Sequence, residues 1–211
     1  YVMYLTGQPL HAYDYDKVKG VSSGCQPKII IREAKKGEKL LLLGGKVITL
    51  EGGEVIIATN KQAIGLGGVM GGAATEVDDQ TKNIILEVGN FDTNATRRTA
   101  MTHGLFTDAA TRFTKGQSPW QNDRVLAYAI KEITSLCGGM ASRNVYDLKG
   151  KLQIPAVVKT TTSFINQRSS LYFSPPKTVW DSHSPIHTLN ISPFLCSRIY
   201  PGLLSVPTLE S

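Results

Sequence analysis

A glycine-rich stretch that leads to a single carboxylate holds the most unusual chemistry of the sequence. Its glycines are separated only by apolar residues: Gly65, Gly67, Gly68, Gly71 and Gly72. Glycines leave the backbone bare, so the pattern indicates that another group approaches the chain closely. An apolar run, residues 84–86, follows and ends in Glu87. A carboxylate at the end of such a strand is either hydrogen-bonded in a cleft or exposed to water, and the first alternative makes Glu87 a candidate site residue.

Two phosphate-binding patterns fail on this glycine-rich stretch. The dinucleotide pattern GxGxxG needs a third glycine where Met70 stands, and no Gly-Lys-Ser or Gly-Lys-Thr follows to complete a P-loop. The simpler interpretation is a tight turn whose glycines pack against a neighbouring strand. The pattern therefore predicts close backbone packing and does not by itself predict a bound phosphate.

Two other positions carry residue types that are suited to chemistry. His11 lies just beyond a turn that contains glycine and proline, where an imidazole serves either in catalysis or as a hydrogen-bonded structural group. Thr107 and Ala109 belong to a Thr-Asp-Ala sequence in which small side chains stand next to hydroxyls. Such a combination suits the floor of a pocket better than the interface of a core helix.

Four basic residues are candidates for contact with a polyanion. The net charge of +6 and the isoelectric point near 9.2 permit a nucleic-acid partner, although no dense block of lysine and arginine occurs. Arg97 and Arg98 lie in the middle of one predicted helix, and Arg112 and Lys115 lie on the next. These side chains either meet phosphates or solvate the exposed faces of their helices.

Length and composition predict a soluble domain with or without an appendage. The 211 residues are 41% apolar, but no run is long enough to span a membrane, and no signal segment opens the chain. The three cysteines are far apart in no metal-binding spacing, which favours a reducing cytosol and predicts no metal site. Because the sequence opens with Tyr1 inside a strand-like run, we expect it to be a piece of a longer protein.

The first half of the sequence predicts mainly strands. We expect a strand over residues 1–5, then a short helix capped by Asp14 or Asp16. Apolar runs between residues 28 and 88 predict several strands of a mostly antiparallel sheet, with a two-residue hairpin at the Gly-Gly pair 44–45.

The second half predicts helices, over residues 92–104, 107–116 and 118–139. Ser118 opens an S-x-x-Q capping box, with proline at the first helical position. A last short strand is expected within residues 143–150. The third helix carries an apolar stripe that predicts core packing: Leu126, Ala129, Ile130, Ile133 and Leu136.

The end of the sequence, residues 154–211, has a different character. Residues 157–168 predict a strand and the start of a helix, whereas residues 169–211 are rich in serine, proline and threonine and show no periodic pattern, so we expect an irregular, poorly ordered tail. His183 and His187 have helical spacing, but Pro185 between them argues against a metal pair. From about Asp181 we expect a shifted reading frame. The fold class that results is α/β (α+β), a mixed and largely antiparallel sheet with helices packed on it.

Several segments together resemble the β chain of bacterial phenylalanyl-tRNA synthetase: GQPLHAYDYDKV, LGGVMGGAATEV, NIILEVGNFD and RRTAMTHGLFTDAATRFTKG. They stand in the order of that family and at similar spacing. The resemblance implies that residues 1–153 form its tRNA-editing module, truncated at the N-terminus. This module would hydrolyse tyrosine wrongly esterified to tRNA-Phe. Residues 154–211 would open the next module, diverged or frameshifted.

The resemblance also assigns site residues. The pocket histidine of the family falls on His11, and the glutamate that is thought to recognise the tyrosine hydroxyl falls on Glu87. The hydroxyl and the small residue of its Thr-Asp-Ala motif fall on Thr107 and Ala109. Gly67 stands where the family commonly has alanine, a departure that predicts a wider pocket or a looser backbone.

These assignments agree with the physics of discrimination. An apolar pocket for phenylalanine excludes tyrosine poorly, whereas a second site that demands the hydroxyl can sort the two. Phenylalanine would leave the carboxylate of Glu87 unpaired, at a cost of roughly 1 to 3 kcal/mol. Hydrolysis then needs an oriented water, for which His11 is a candidate, and no metal. It also needs backbone amides that stabilise the oxyanion, for which the candidates are Gly68, Gly71 and Gly72.

The resemblance implies tRNA-Phe and the synthetase α chain as partners, in an α2β2 assembly in the cytoplasm, and ATP and Mg²⁺ for the whole enzyme only. One alternative is a scaffold without chemistry, in which the four basic residues bind RNA or the module binds the partner subunit. A small-molecule enzyme unrelated to tRNA is a second alternative.

Overall fold

The computed structural model describes residues 1–142, 145–148, 150, 161–169 and 198–200. The chain divides into two compact units, one of residues 1–150 with 194–211 and the other of residues 151–193. In the second unit the structure describes one helix, Thr162–Ser169. The sequence predicts the start of a helix there. Most of the expected tail lies outside the described residues.

The described chain contains six α-helices and ten strands, several of them short. The helices are α1 Val2–Thr6, α2 Tyr15–Gly20, α3 Thr93–His103, α4 Asp108–Phe113, α5 Asn122–Cys137 and α6 Thr162–Ser169. The strands are β1 His11–Asp14, β2 Ile30–Glu33, β3 Lys39–Leu41, β4 Val47–Thr49, β5 Val55–Ala58, β6 Ala63–Leu66, β7 Met70–Gly71, β8 Ile84–Val88, β9 Tyr146–Asp147 and β10 Arg198–Tyr200.

Two open antiparallel sheets and one hairpin organise these strands. The first sheet has the order β1-β8-β10-β9, and the second has the order β2-β5-β6-β7. Strands β3 and β4 form the separate hairpin. Helices pack on the sheets, so the predicted α+β class with a largely antiparallel sheet is confirmed. Strand β10 lies within the segment that was expected to be irregular.

The core forms because the apolar faces of these elements meet in three clusters. The largest joins the second sheet to the hairpin and to residues from α3 and α4. A second cluster lies between the two sheets, around Tyr13, Ile57, Ile64 and Ile85. The third packs α5 against Leu86 and Val88 of β8. Both faces of the β1–β8 pair are therefore supported by packing, which fixes the side chains that it presents.

The prediction of a strand over residues 1–5 is wrong, because the structure has helix α1 there. Gly7 ends this helix with a φ of 77°, and its N–H donates to the carbonyl of Met3 at 2.8 Å. Val2 packs against the α5 cluster. The packing of the partly buried Val2 and a glycine cap thus outweigh a composition that is typical of strands.

Two details of the predicted turns are also corrected. The hairpin turn takes three residues, Leu43–Gly45, because the N–H of Leu42 donates to the carbonyl of Lys46 and closes a longer loop. The capping box at Ser118 does not form, since α5 begins only at Asn122. Gln121 has no side-chain cap bond; its amide donates to the side chains of Gln8 and Gln117 instead.

The other helix signals hold, with shifted ends. Asp14 and Asp92 cap α2 and α3, and Gly104 ends α3 in the left-handed conformation. Thr107 caps α4, which ends at Phe113 before the expected Gly116. In the α5 stripe Leu126 and Ala129 are buried, Ile130 and Ile133 are partly buried, and Leu136 is 79% exposed.

Candidate functional site

A pocket of about 360 Å³ opens where β1, β8, the turn between β6 and β7, and the start of α4 meet. It brings together seven of the predicted site residues: His11, Gly67, Gly68, Gly71, Glu87, Thr107 and Ala109. These positions are up to 98 residues apart in the sequence, so only the fold unites them. Gly72 and the four basic candidates are not among the lining residues.

The pairing of β1 with β8 positions the polar side chains of the pocket. His11 is the register partner of Glu87, and Tyr13 is the partner of Ile85. Because opposite residues of an antiparallel pair share a face, and residues two apart on a strand do also, His11, Tyr13 and Glu87 point to the same side. The hydroxyl of Tyr13 reaches Glu87 along the diagonal of the ladder.

Glu87 is a buried carboxylate with one side-chain partner. It is 6% exposed, and the hydroxyl of Tyr13 donates a short hydrogen bond to its Oε2. Burial raises the pKa of Glu87, and the bond from Tyr13 lowers it in part. The pKa of Tyr13 lies well above its ordinary value, through burial and through the nearby carboxylate. Tyr13 therefore remains a donor, and Oε1 accepts no hydrogen bond from the described residues.

His11 lies against the glycine turn with an unused ring nitrogen. A Cβ atom on Gly71 would come within 2.6 Å of its Nε2 atom, so the ring occupies the place of a side chain. The edge of the ring meets Tyr13 at a centroid distance of 4.4 Å. Nε2 is buried and has no hydrogen-bond partner among the described residues. Burial lowers the pKa of His11 to about 4, so the imidazole is neutral near pH 7.

The glycine turn uses some of its amides and leaves one available. The N–H groups of Gly67 and Gly72 donate to Val55 and Ile64, each at 2.8 Å. Gly72 is therefore removed from the oxyanion candidates. Gly68 lies in the turn with a φ of 70°. Its N–H donates to none of the described residues.

The expectation that Gly67 widens the pocket is wrong. A Cβ atom there would lie 2.9 Å from the ring of Phe91 and 3.0 Å from Val55, so these side chains already fill the space that a methyl group would take. The Gly67 amide is also fixed to the carbonyl of Val55 at 2.8 Å, so the backbone is not loose. Phe91 packs on Gly67 and Gly68 and meets Phe113 edge to face.

Thr107 links the helix to the glycine turn. Its hydroxyl accepts the N–H of Ala110, as the cap of α4, and donates to the carbonyl of Val69 at 2.7 Å. These two hydrogen bonds fix the start of α4, so that Asp108 and Ala109 lie at the pocket wall. Thr107 therefore serves first to place the start of α4.

The four basic candidates lie outside the pocket lining. Arg97 and Arg98 are exposed on α3, and Lys115 is exposed beyond α4. Arg112 is half-buried: it donates to the carboxylate and carbonyl of Asp108 and lies over the ring of Tyr4, 5.1 Å from its centroid. Its RNA-binding role, like that of the other three, stays a prediction.

Sequence reasoning missed two residues of the site, Tyr13 and Phe91. Tyr13 stands two residues after His11, so strand periodicity from a known site residue would have placed it on the same face. Phe91 follows the glycine that ends β8, and no signal in the sequence shows that its ring covers the turn of β6 and β7. The amide of Gln8 also supports the site, because it donates to the carbonyl of Gly89 at 2.8 Å.

Among the described residues, no three histidine, cysteine or acidic side chains cluster as metal ligands. The rings of His11 and Phe91 pack against glycines of the turn. Among the described helices, none is long and apolar enough to cross a membrane.

Comparison with known proteins places the chain beside one group. The B3/4 domain family matches residues 1–138. A phenylalanine–tRNA ligase beta subunit of Lactobacillus johnsonii is 38% identical over 168 residues, which cover 79% of this chain and 20% of that protein. The same subunit of Protochlamydia amoebophila is 39% identical over 167 residues, 79% of this chain and 20% of that protein.

A third relative, the phenylalanine–tRNA ligase beta subunit of Symbiobacterium thermophilum, is 33% identical over 177 residues, 84% of this chain and 19% of that protein. The chain thus spans about a fifth of the length of the curated relatives it matches. These matches confirm the resemblance that the sequence motifs indicated.

Proposed function

The chain belongs to the B3/4 domain family, and from this premise we propose that it is an editing module that hydrolyses tyrosine wrongly esterified to tRNA-Phe. The observation that carries the proposal is the pocket itself. A buried carboxylate with an unused oxygen lies there beside an unpartnered imidazole nitrogen and a glycine amide without an acceptor among the described residues. Buried polar groups are normally paired, so the unpartnered Nε2 atom of His11 in the wall of this cavity indicates a ligand.

Glu87 is the group that selects the amino acid. Its Oε1 atom accepts the phenolic hydroxyl of a bound tyrosine, while phenylalanine offers no donor and leaves the carboxylate unpaired. This difference corresponds to roughly 1 to 3 kcal/mol, or about a tenfold to hundredfold preference. The apolar wall of the pocket, which includes Phe91 and Val69, accommodates the ring of either amino acid.

The imidazole of His11 and the amide of Gly68 support the hydrolysis. Water attacks the carbonyl carbon of the ester, the bond to the ribose oxygen breaks, and that oxygen takes a proton to leave free tRNA and tyrosine. The amide of Gly68 donates to the developing oxyanion. His11, neutral at pH 7, presents Nε2 to the water or to a ribose hydroxyl and orients it. Ala109 leaves room beside them. No step passes through ATP or Mg²⁺.

The partners proposed for the chain follow from the names of its relatives. We expect tRNA-Phe to reach the pocket with its terminal ribose, and Arg97, Arg98, Arg112 and Lys115 to contact its phosphates. The α chain of the ligase, the α2β2 assembly and the cytoplasmic location are part of the same proposal. ATP and Mg²⁺ belong, on this view, to the whole ligase.

Deacylation of Tyr-tRNA-Phe by the purified chain tests the proposal, with Phe-tRNA-Phe as the control substrate. We expect tyrosine-selective release that Glu87→Gln reduces to the level of the phenylalanine control. His11→Ala should lower release of both amino acids. Glu76→Gln is the matched control, since that carboxylate lies outside the pocket lining. Absence of release by a folded wild-type chain would overturn the proposal.

A scaffold without chemistry is the second candidate, because Arg97, Arg98 and Lys115 are exposed while lying outside the pocket lining. If these residues bind RNA, each Lys or Arg that is replaced by alanine should reduce the slope of log affinity against log salt concentration by about 1. RNA binding with that salt dependence, but without release of amino acid, would favour the scaffold.

A further inference from the structure

We propose that Tyr13 orients the carboxylate of Glu87: its hydroxyl donates a hydrogen bond to Oε2, so that Oε1 is the single acceptor left for the bound amino acid. Tyr13 is then a positioning residue that sets the preference for tyrosine over phenylalanine. The inference rests on the proposed editing function and adds to it a residue that does not need to touch the substrate.

The geometry fixes Tyr13 more firmly than any other polar side chain of the pocket. The residue is 1% exposed and lies in the apolar cluster with Ile57, Ile64 and Ile85. The edge contact with His11 limits its ring on the side of the pocket. A hydroxyl held by such packing can give the flexible side chain of Glu87 a fixed partner. The carboxylate is thus restricted to one orientation before a ligand arrives.

The free oxygen of Glu87 has room to accept a ligand because of Gly89. A Cβ atom on Gly89 would lie 3.2 Å from Oε1, so a side chain there would crowd this oxygen. Gly89 and Glu87 both line the pocket. One oxygen is therefore bound to Tyr13, and the other accepts no hydrogen bond from the described residues.

The hydrogen bond also favours the ionised form of Glu87, which is the form that accepts. Burial alone raises the pKa of this carboxyl, and Tyr13 opposes the rise. The other titratable groups of the same pocket, among the described residues, are His11 on β1 and Asp108 on α4. His11 is neutral above about pH 4 and supplies no charge. Selectivity should be present above the pKa of Glu87 and be lost as the pH falls through it.

A purely structural tyrosine would behave differently. If the hydroxyl only satisfied a buried carboxylate, its removal would lower stability but leave the tyrosine preference and its pH dependence unchanged. The relevant readout is therefore the ratio of kcat/KM for Tyr-tRNA-Phe to that for Phe-tRNA-Phe, measured from pH 5 to 8.5 on the whole chain. Melting temperature measures folding separately.

Tyr13→Phe is the test variant, and Tyr15→Phe is its matched control. Tyr15 packs against the same apolar cluster, and its hydroxyl makes only a long contact of 3.4 Å with Gln26. We expect Tyr13→Phe to lower the selectivity ratio about tenfold. The acid limb of the ratio should move to higher pH, because Glu87 then loses the bond that favours its ionised form. Tyr15→Phe should leave both unchanged.

The possible outcomes separate the two proposals. Failure of the wild-type chain to release either amino acid removes the editing function itself. A selective wild type whose ratio and acid limb are unchanged in Tyr13→Phe overturns the role of Tyr13 alone. If Tyr13→Phe does not fold, 3-fluorotyrosine incorporated at position 13 keeps the shape and donates more strongly. The acid limb should then move to lower pH, and an unmoved limb overturns the inference.

Discussion

Glu54 and Glu87 are each 6% exposed, yet they differ in the number of hydrogen bonds that they accept and in the direction of their pKa shifts. Glu54 accepts the N–H groups of Glu51 and Gly52, both at 2.8 Å, and meets Nε2 of His103 at 2.9 Å. Glu87 accepts one hydroxyl, from Tyr13. The pKa of Glu54 is lowered, because these hydrogen bonds together outweigh its burial. The pKa of Glu87 is raised by burial.

The difference separates a carboxylate that holds the fold from one that is kept for a ligand. Glu54 ties the turn before β5 to the end of α3, and every partner stabilises its ionised form. Burial raises the pKa of Glu87, so its ionisation carries a free-energy cost that the hydrogen bond from Tyr13 offsets only in part. Such a cost is expected at sites where binding, rather than folding, supplies the missing partner.

The same substitution at both positions should therefore have opposite effects, and the larger one is at Glu54. In Glu54→Gln the amide NH₂ must face the N–H of Glu51 or that of Gly52, so that two donors meet in a buried place. We expect a loss of about 3 to 4 kcal/mol in the free energy of unfolding, measured by urea denaturation at pH 7. Because the pKa of Glu54 is lowered in the folded state, this difference should be full above pH 5 and shrink at more acidic pH. A loss below about 1 kcal/mol would contradict the distinction.

His11 extends the comparison to pH. Its pKa of about 4 in the folded chain lies below the ordinary 6.5, so the unfolded chain binds the extra proton. Stability from this group is full above pH 6.5 and is lost as the pH falls. Between pH 7.5 and 4.5 the loss should be about 2.5 kcal/mol. His11→Phe should lack this component in urea denaturation at the two pH values. An identical loss in the variant would show that His11 is not buried in its neutral form.

Gly71 and Gly72, which are adjacent in one turn, test the same distinction between residues that stabilise the fold and residues that serve the site. A Cβ atom on Gly72 would lie 2.6 Å from the carbonyl oxygen of Ile64, whereas one on Gly71 would overlap the ring of His11. Gly72→Ala should cost about 2 kcal/mol of stability and leave the selectivity of the folded fraction intact. Gly71→Ala should displace His11 and reduce deacylation more than stability. Unfolding curves and deacylation rates of both variants check this, and equal effects on both properties would contradict it.

Several residues of the site could be predicted from the sequence, but the contacts that position them could not. The glycine turn, Glu87 and His11 are visible because their residue types are unusual for their positions. The caps of α2, α3 and α4 were also predictable, since capping is a local interaction. The helix at Val2–Thr6 and the use of Gln121 depend on distant partners, which a local pattern does not contain.

The partner of Glu87 shows the same limit most clearly. Nothing in the sequence tells that Tyr13, rather than a cation, meets this carboxylate, because the contact crosses 74 residues. Residue type therefore predicted that Glu87 is special. Only the register of β1 against β8 shows that its one partner is a neutral hydroxyl. A hydroxyl opposes the rise in the pKa of Glu87 that burial causes less strongly than the charge of an arginine would.

The smallest effect, and the one that most sharpens the contrast with Glu54, is expected for Glu87→Gln. The glutamine carbonyl can still accept the hydroxyl of Tyr13, and its NH₂ group faces the pocket. Because the folded-state pKa of Glu87 is raised, its ionised form lowers stability increasingly as the pH rises through that pKa. We therefore expect Glu87→Gln to raise the free energy of unfolding by about 1 kcal/mol at pH 8, with a smaller gain at pH 4.5. Urea denaturation at both pH values measures it. A loss of the size expected for Glu54→Gln would mean that Glu87 is also a structural carboxylate, and the assignment of the pocket to editing would then lose its main support.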